Sequence, residues 1–344
     1  GKCTFDAGLG SFEKVVANIG LLGNALAPYM GHILPTNPNI PNPAYQKQMG
    51  IGGYMYSYDS YMHGRQYYFG LSLGAAYKVN EHLAVALGVR GVYATCNYYG
   101  YVENITFIGK EGSKPLPLSK IVDKNDSKSS DIELNTNQSG IGFTPIIGID
   151  YKTGRWNFSA KYEFKTRLRL KNQGTVISPV GKLNDVGPNL LQYGVPAAAL
   201  VQVAPAIAEA KNSINELIAE YDEDQNKKVA SDIPSLLTIG AGYSPIDALR
   251  INVGFHWFDD KNATSSYSWT DKDGKANQVD RNKKLKRGTL EYNAGIEYDL
   301  NKKVTLSTGW QNTNYGLSDE YMDDKSFVTS SNSVAVGGVY HINK

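Results

Sequence analysis

Cysteine is almost missing from this chain: Cys3 and Cys96 are the only two in 344 residues. They form no metal or redox motif, which excludes a cysteine-built metal or redox centre and leaves an unpaired thiol and a strand thiol. Long apolar runs are missing too. Nowhere do about 18 apolar residues follow one another, so no helix of this sequence is expected to cross a membrane, although a spanning strand needs only about 9 to 11 alternating residues. Charge of one sign is not in excess either, since the net charge is +2. No overall field recruits nucleic acid. No signal peptide opens the chain, as expected of a mature or trimmed product. Phe and Trp are scarce, at 10 and 4, whereas Tyr and Gly reach 24 and 35. This mix favours amphipathic rings at a boundary and closely packed strands over an ordinary apolar core.

What is present is a repeating hairpin. From Leu237 to Trp257, every second residue is apolar or aromatic (Leu237, Ile239, Ala241, Tyr243, then Leu249, Ile251, Val253, Phe255, Trp257). Those between are small or polar (Thr238, Gly240, Gly242, Arg250, Asn252, Gly254, His256), which predicts a ribbon with one apolar and one polar face. A Gly-x-x-Tyr pattern closes the first strand of each repeat: Gly74 to Tyr77, Gly148 to Tyr151, Gly240 to Tyr243, Gly295 to Tyr298, Gly337 to Tyr340. Tight polar turns follow the first four copies, so each pair of strands is antiparallel.

Taken in order, residues 1–64 read as a long excursion. It holds a helix capped by Ser11 with the stripe Phe12, Val15, Val16, Ile19, Leu22 and Leu26, and it is ended by Pro28 and the Pro35 to Pro43 run. Tyr54 to Tyr61 lead to strands Gln66 to Tyr77 and His82 to Ala94. A polar loop, Tyr101 to Gln138, shows no sustained period. The next hairpin puts Phe143, Ile147, Ile149, Tyr151, Trp156, Phe158, Tyr162 and Phe164 on the apolar face and Lys161, Glu163, Lys165, Arg167 and Arg169 on the other. Residues 171–233 form the longest connection, with a helical stripe Leu200, Val203, Ile207, Ile214, Leu217, Ile218 and Tyr221 interrupted by Pro205. Another polar loop, Phe258 to Arg287, carries an Asp273-Gly274 turn, and the last strands are Thr289 to Tyr298, Val304 to Gln311 and Val334 to Tyr340.

Short turns and long loops therefore alternate, and aromatics cluster beside the short turns. Outer-membrane barrels show this asymmetry and this girdle. Backbone groups in lipid must all be paired, so the ribbon is expected to close. Nine strands are counted, whereas bacterial single-chain barrels have an even number, so a fragment lacking terminal strands is expected.

The block Gly70 to Ala94, the segment Ile233-Pro234 with Thr238 to Pro245, Tyr292 to Gly309 and the closing Ser331 to Asn343 resemble the FadL-type outer-membrane transporters of long-chain fatty acids and other hydrophobic compounds. The resemblance implies a 14-stranded barrel with an N-terminal hatch and ligand-capturing extracellular loops. The nine strands match strands four to twelve, and no binding residue is carried over from the family.

The resulting expectation is an all-β, transmembrane, antiparallel up-and-down barrel domain over 1–344 in a bacterial outer membrane. It takes up a hydrophobic small molecule by binding and diffusion. Alternatives are a general porin, favoured by the charges Arg90, Lys161, Glu163, Arg167 and Arg250, and a soluble β-rich binding protein. Together with His256, those charges are expected to line the lumen. The stripe Leu200 to Tyr221 is expected to hold the ligand in a groove against the Phe12 to Leu26 stripe. Expected partners are the ligand and outer-membrane lipid and lipopolysaccharide, with no nucleic acid, no cofactor and a monomeric state. Enzyme chemistry is not expected: His256 and His341 sit in no serine or metal motif, and Asp271-x-Asp273-Gly274 lacks the downstream Glu of a calcium loop.

Overall fold

The computed structural model describes residues 10–26, 29, 55–108, 115–224, 228–271, 274–322 and 328–342, and the structural statements below concern these. Cys3, Pro28, the Pro35 to Pro43 run, Tyr54, Asp273 and the Phe12 side chain lie outside the described residues. The first half contains α1 (Gly10–Leu26), β1 (Met55–Lys78), β2 (Leu83–Ile108), β3 (Leu116–Pro117), α2 (Ser119–Val122), β4 (Ile132–Thr153), β5 (Trp156–Glu163) and β6 (Arg169–Ile177). The second contains α3 (Val186–Gln192), α4 (Ala197–Tyr221), β7 (Val229–Ser231), β8 (Leu236–Ile246), β9 (Leu249–Phe258), β10 (Ser265–Thr270), β11 (Ala276–Asp280), β12 (Thr289–Asn301), β13 (Val304–Asn314) and β14 (Ser331–Tyr340).

Nine of the strands form one antiparallel meander in the order β1-β2-β4-β5-β8-β9-β12-β13-β14. These are the nine strands that alternation in the sequence predicts. Each is joined to its neighbour residue by residue, for example Gly74 to Gly88, Ile147 to Tyr162 and Ala241 to Val253. The alternation then sorts the side chains. Leu71, Leu87, Phe143, Val253, Trp310 and Val336 stand on one face, between 44% and 84% exposed. On the other face, Gly74 and Gly88 meet so closely that a Cβ on either would sit 3.1 Å from a carbonyl oxygen of the partner strand. Small residues there let the strands pack backbone to backbone. We call the apolar face outer and the other inner.

The expected closure of the ribbon is not found. No pairing joins β14 to β1 among the described residues, so the sheet is open and both end strands keep an unpaired edge.

Two further expectations are corrected. The excursion 1–64 ends earlier, because β1 starts at Met55, and the loop Tyr101 to Gln138 is shorter, because both of its ends belong to strands and only 109–131 lie between β2 and β4. Its lack of period has a local cause. Asn104 takes a positive φ of 57°, and the pairing with β1 shifts by one residue between Ser57 and Asp59. Buried positions consequently change from even (Val102) to odd (Ile105, Phe107). A bulge of this kind flips the side chains beyond it to the other face, so no single period spans the segment.

The main core is not inside the nine-strand sheet. It sits at the long-loop end, on the inner side of the extended β1-β2-β4 ribbon, where α1, α2, α3 and α4 pack on Val102, Ile105, Phe107, Ile132 and Leu134. Beside it, β6, β7, β10 and β11 continue from β4 as a smaller sheet, and the β10-β11 hairpin realises the turn expected at Gly274.

Candidate functional site: the inner face and its helical cap

Of the six residues expected to line the lumen, five stand on the inner face, and they make three ionic groups. Arg90 of β2 reaches across β4 to Glu163 of β5, Nη2 to Oε2 at 2.8 Å, while Lys161 Nζ holds the other carboxylate oxygen at 2.7 Å. The Glu163 side chain is only 8% exposed, so two cations are needed to compensate its desolvation. Nearer the short turns, Arg250 grips Asp299 with both Nη atoms at 2.9 Å and donates Nε–H to Glu297 at 2.9 Å. Thr305 donates to Asp299 at 2.6 Å and lies 3.2 Å from His341 Nε2. Towards the long loops, His256 Nδ1 lies 2.6 Å from Glu291, whose second oxygen accepts from Thr313 at 3.1 Å.

The partners Glu291, Glu297, Asp299 and Thr305 were not singled out from the sequence. Their signal was the register Glu291 to His256 and Glu297 to Arg250 between β9 and β12. Those two strands are joined by a long connection, so no tight turn sets their register in advance.

Arg167 is the exception, and it corrects the expectation of five charges in a row. β5 pairs with β4 up to Glu163 opposite Ile146, and pairing resumes with Lys171 opposite Ser139, one residue out of step. Between them the chain crosses close over the inner side of β4: a Cβ on Gly142 would meet Thr166 at 2.6 Å, and one on Gly140 would meet the Arg169 carbonyl at 2.6 Å. Thr166, Leu168 and Leu170 are therefore buried against β4, and Arg167 and Arg169 alternate with them and are exposed. A one-residue slip exchanges the faces. Asp232, whose side chain is 1% exposed, pins this crossing by accepting from the Leu168 N–H at 3.0 Å and pairing with Arg169.

The groove expected between the two helical stripes is also corrected. Val203, Ile214, Leu217, Ile218 and Tyr221 are buried, Leu200 and Ile207 half-buried, and all belong to the same core as Val15, Val16, Ile19, Leu22 and Leu26 of α1. The stripes shield each other. Asn18 donates to Ser213 between the helices, and Gly20 and Gly23 bring α1 so near β1 and β2 that a Cβ would lie 2.9 Å from the Tyr56 ring and 2.6 Å from the Phe107 ring. At its far end α4 is tied to the inner face: Gln138 donates to Asn172 at 2.7 Å and to the Glu220 carbonyl at 3.1 Å, and the Tyr98 and Tyr221 rings lie 5.1 Å apart. Burial pushes both of those phenols above their usual pKa, so they stay neutral packing groups. Two apolar stripes that would each be exposed alone have closed on one another.

No group of three or more metal-ligating side chains is found among the described residues. The inner face thus offers paired charges and small polar groups around an open trough, with an apolar helical cap at one end.

No protein-family model matches the chain, and no curated protein does. Among solved structures it is similar to the toluene transporter TodX of Pseudomonas putida, at 13% identity and a TM-score of 0.39, covering 81% of this chain and 61% of that one. It is also similar to the toluene transporter TbuX of Ralstonia pickettii, at 14% identity and a TM-score of 0.41, covering 85% and 70%. The NanC porin aligns at 8% identity and a TM-score of 0.29, covering 82% and 99%. The chain spans about three fifths of TodX.

Proposed function

We propose that this chain is part of the wall and the loop-side cap of a bacterial outer-membrane barrel that passes a hydrophobic small molecule, such as a long-chain fatty acid, by binding and diffusion. The observation that carries the reading is the two-faced meander. Nine strands of one meander hold Leu71, Phe143, Val253, Trp310 and Val336 exposed on one face, and an apolar surface that runs across every strand of a sheet matches the lipid-facing band of a barrel. Aromatics ring it at both levels, with Tyr77, Tyr151, Trp156, Tyr243, Tyr298 and Tyr340 by the short turns and Tyr67, Tyr93, Phe143, Trp257, Tyr292 and Trp310 towards the long loops. Such belts seat a barrel at its two interfaces.

Two features favour a hydrophobic ligand over ions. The inner charges Arg90, Lys161, Glu163, Arg250 and His256 all hold partners within the wall, which leaves little of the one-signed field that an ion pore uses. At the long-loop end an apolar cap packs on the inner side of the β1-β2-β4 extension.

The test is uptake against conductance. The complete protein, inserted in vesicles, is expected to speed entry of a labelled long-chain fatty acid while giving no steady open-pore current in planar bilayers. Large continuous conductance would establish a porin instead, and a protein that stays monomeric in buffer without detergent would establish a soluble β-protein.

A further inference from the structure

The connection between β11 and β12 carries the densest run of one charge in the chain. Residues 281–287 read Arg-Asn-Lys-Lys-Leu-Lys-Arg, and the fold holds them together on the rim of the wall. Asp280 caps the short turn Arg281–Lys284 by accepting the Asn282 N–H at 3.3 Å. Leu285 is buried, Ser318 donates to the Lys284 carbonyl at 2.5 Å, and the Lys286 N–H donates to the Gly316 carbonyl at 2.8 Å. Anchored in this way, Lys283, Lys284, Lys286 and Arg287 all stand exposed. Lys261 joins them from the connection after β9. Its Nζ donates to the Lys286 carbonyl at 3.4 Å, and Lys283 Nζ donates to the Lys261 carbonyl at 3.5 Å.

These five cations are not compensated. The carboxylates beside them are turned to neutral donors: Asp259 accepts from the Asn262 amide at 2.9 Å, Asp260 from the Thr289 N–H at 2.8 Å, and Asp280 also from the Ser265 N–H at 3.2 Å. Asp319 and Glu320 are exposed on the next connection, yet none of the five cations makes an ion pair with any described residue. Like charges gathered this closely repel one another, so a bound anion would stabilise the turn.

Height points to the kind of anion. β9 pairs with β12 over its full 10 residues, a climb of about 23 Å at the tilt of barrel strands, against an apolar band of about 25 Å. Trp257 and Tyr292 stand exposed near the top of that climb. Trp257 Nε1 lies 3.0 Å from where a Cβ on Gly288 would be, next in sequence to Arg287. Apolar band, aromatic belt and cations thus follow in the order in which a leaflet presents chains, interface and phosphates.

We propose that this basic rim binds the phosphates of an outer-leaflet glycolipid that carries more than one phosphate on its sugar headgroup. Lys283 to Arg287 span at most about 14 Å of chain, so the charges gather over the area of one headgroup and exceed what a lipid with a single phosphate neutralises. Ammonium and guanidinium both donate to phosphate oxygens, and no cation here has to leave a carboxylate to do so. The proposal rests on the barrel reading above, in which this rim meets the outer leaflet.

The experiment uses the complete protein in detergent, with bisphosphorylated lipid A, phosphatidylglycerol and inorganic phosphate as probes, read by native mass spectrometry at low and raised salt. Bisphosphorylated lipid A is expected to be retained, phosphatidylglycerol at least tenfold more weakly and inorganic phosphate not at all, with retention falling as salt rises. Lys283→Gln/Lys284→Gln/Lys286→Gln should weaken lipid A at least tenfold and flatten its salt dependence, with fatty acid uptake and the lipid-free melting temperature unchanged. Lys302→Gln/Lys303→Gln removes charge from the exposed short turn between β12 and β13 at the opposite rim, and should leave lipid A binding as it is. Unchanged affinity in the triple variant, equal weakening by the two sets of substitutions, or equal retention of phosphatidylglycerol overturns the site while the barrel reading stands. A complete protein that stays monomeric in buffer without detergent would instead remove the barrel reading itself.

Discussion

Single residues decide the face on which chemistry occurs, and neighbouring positions can therefore behave oppositely. Val253 points outward, 52% exposed, whereas Asn252 points inward beside Gly242. An Arg at the first position should cost roughly 2 to 4 kcal/mol at the bilayer midplane, and at the second much less. Urea unfolding of Val253→Arg and Asn252→Arg in lipid measures the difference, and equal losses would mean that inner and outer have been exchanged. Glu163 makes the complementary case. Its carboxylate separates Arg90 from Lys161, so Glu163→Gln leaves two partly exposed cations facing each other without their shared anion and should lower stability by about 1 to 2 kcal/mol. Adding Arg90→Gln should restore part of that loss, because the repulsion goes with the charge. A double variant no more stable than the single one would show that the pair does not interact.

At the scale of elements, α1 and α4 exist as a pair. Each has a stripe that would otherwise be exposed, and together with the β1-β2-β4 extension they form a core separate from the strand ladder. Gly23 is the tightest point, with no room for a methyl beside the Phe107 ring. Gly23→Ala should push α1 outward even though alanine favours helix, and limited proteolysis should then cleave α1 faster while the heat resistance of the barrel stays unchanged. Ile214→Ala should act similarly by leaving a cavity, worth about 2 to 5 kcal/mol of cap stability. Simultaneous loss of cap and barrel in either variant would mean that the two form one cooperative unit.

On the scale of the whole molecule, the connections define two ends. The turns at Gly154 and Asp247 belong to one, and the helical cap, the α2 region and the β10-β11 hairpin belong to the other. In the proposed orientation the second end faces outward. Single cysteines introduced at Asp126 or Lys182, an exposed ion pair of the cap region at 2.9 Å, should react with a bulky thiol reagent on intact cells, and a cysteine at Asp247 should not. The reverse pattern would invert the topology. The open edges of β1 and β14 belong to this scale as well, because a ribbon facing lipid must pair every backbone group.

The strand content was legible because a two-faced strand announces itself with a period of two, and because Gly-x-x-Tyr and a tight turn set the register within each hairpin. All nine strands of the meander, their order and their apolar faces follow from that local pattern. What lay beyond it needed the third dimension. The slip between Glu163 and Lys171 and the bulge at Asn104 each depend on how a strand meets a partner distant in sequence, and each reverses the faces that uninterrupted alternation assigns. The pairing of Arg250 with Glu297 and Asp299 depends on the register between β9 and β12, strands that no tight turn connects. The stripes on α1 and α4 were both visible, but whether two apolar stripes leave a groove or close on each other is decided by distance and by the glycines that permit it, and here they close. Local periodicity determines which residues share a face; only contacts between remote segments decide what that face meets.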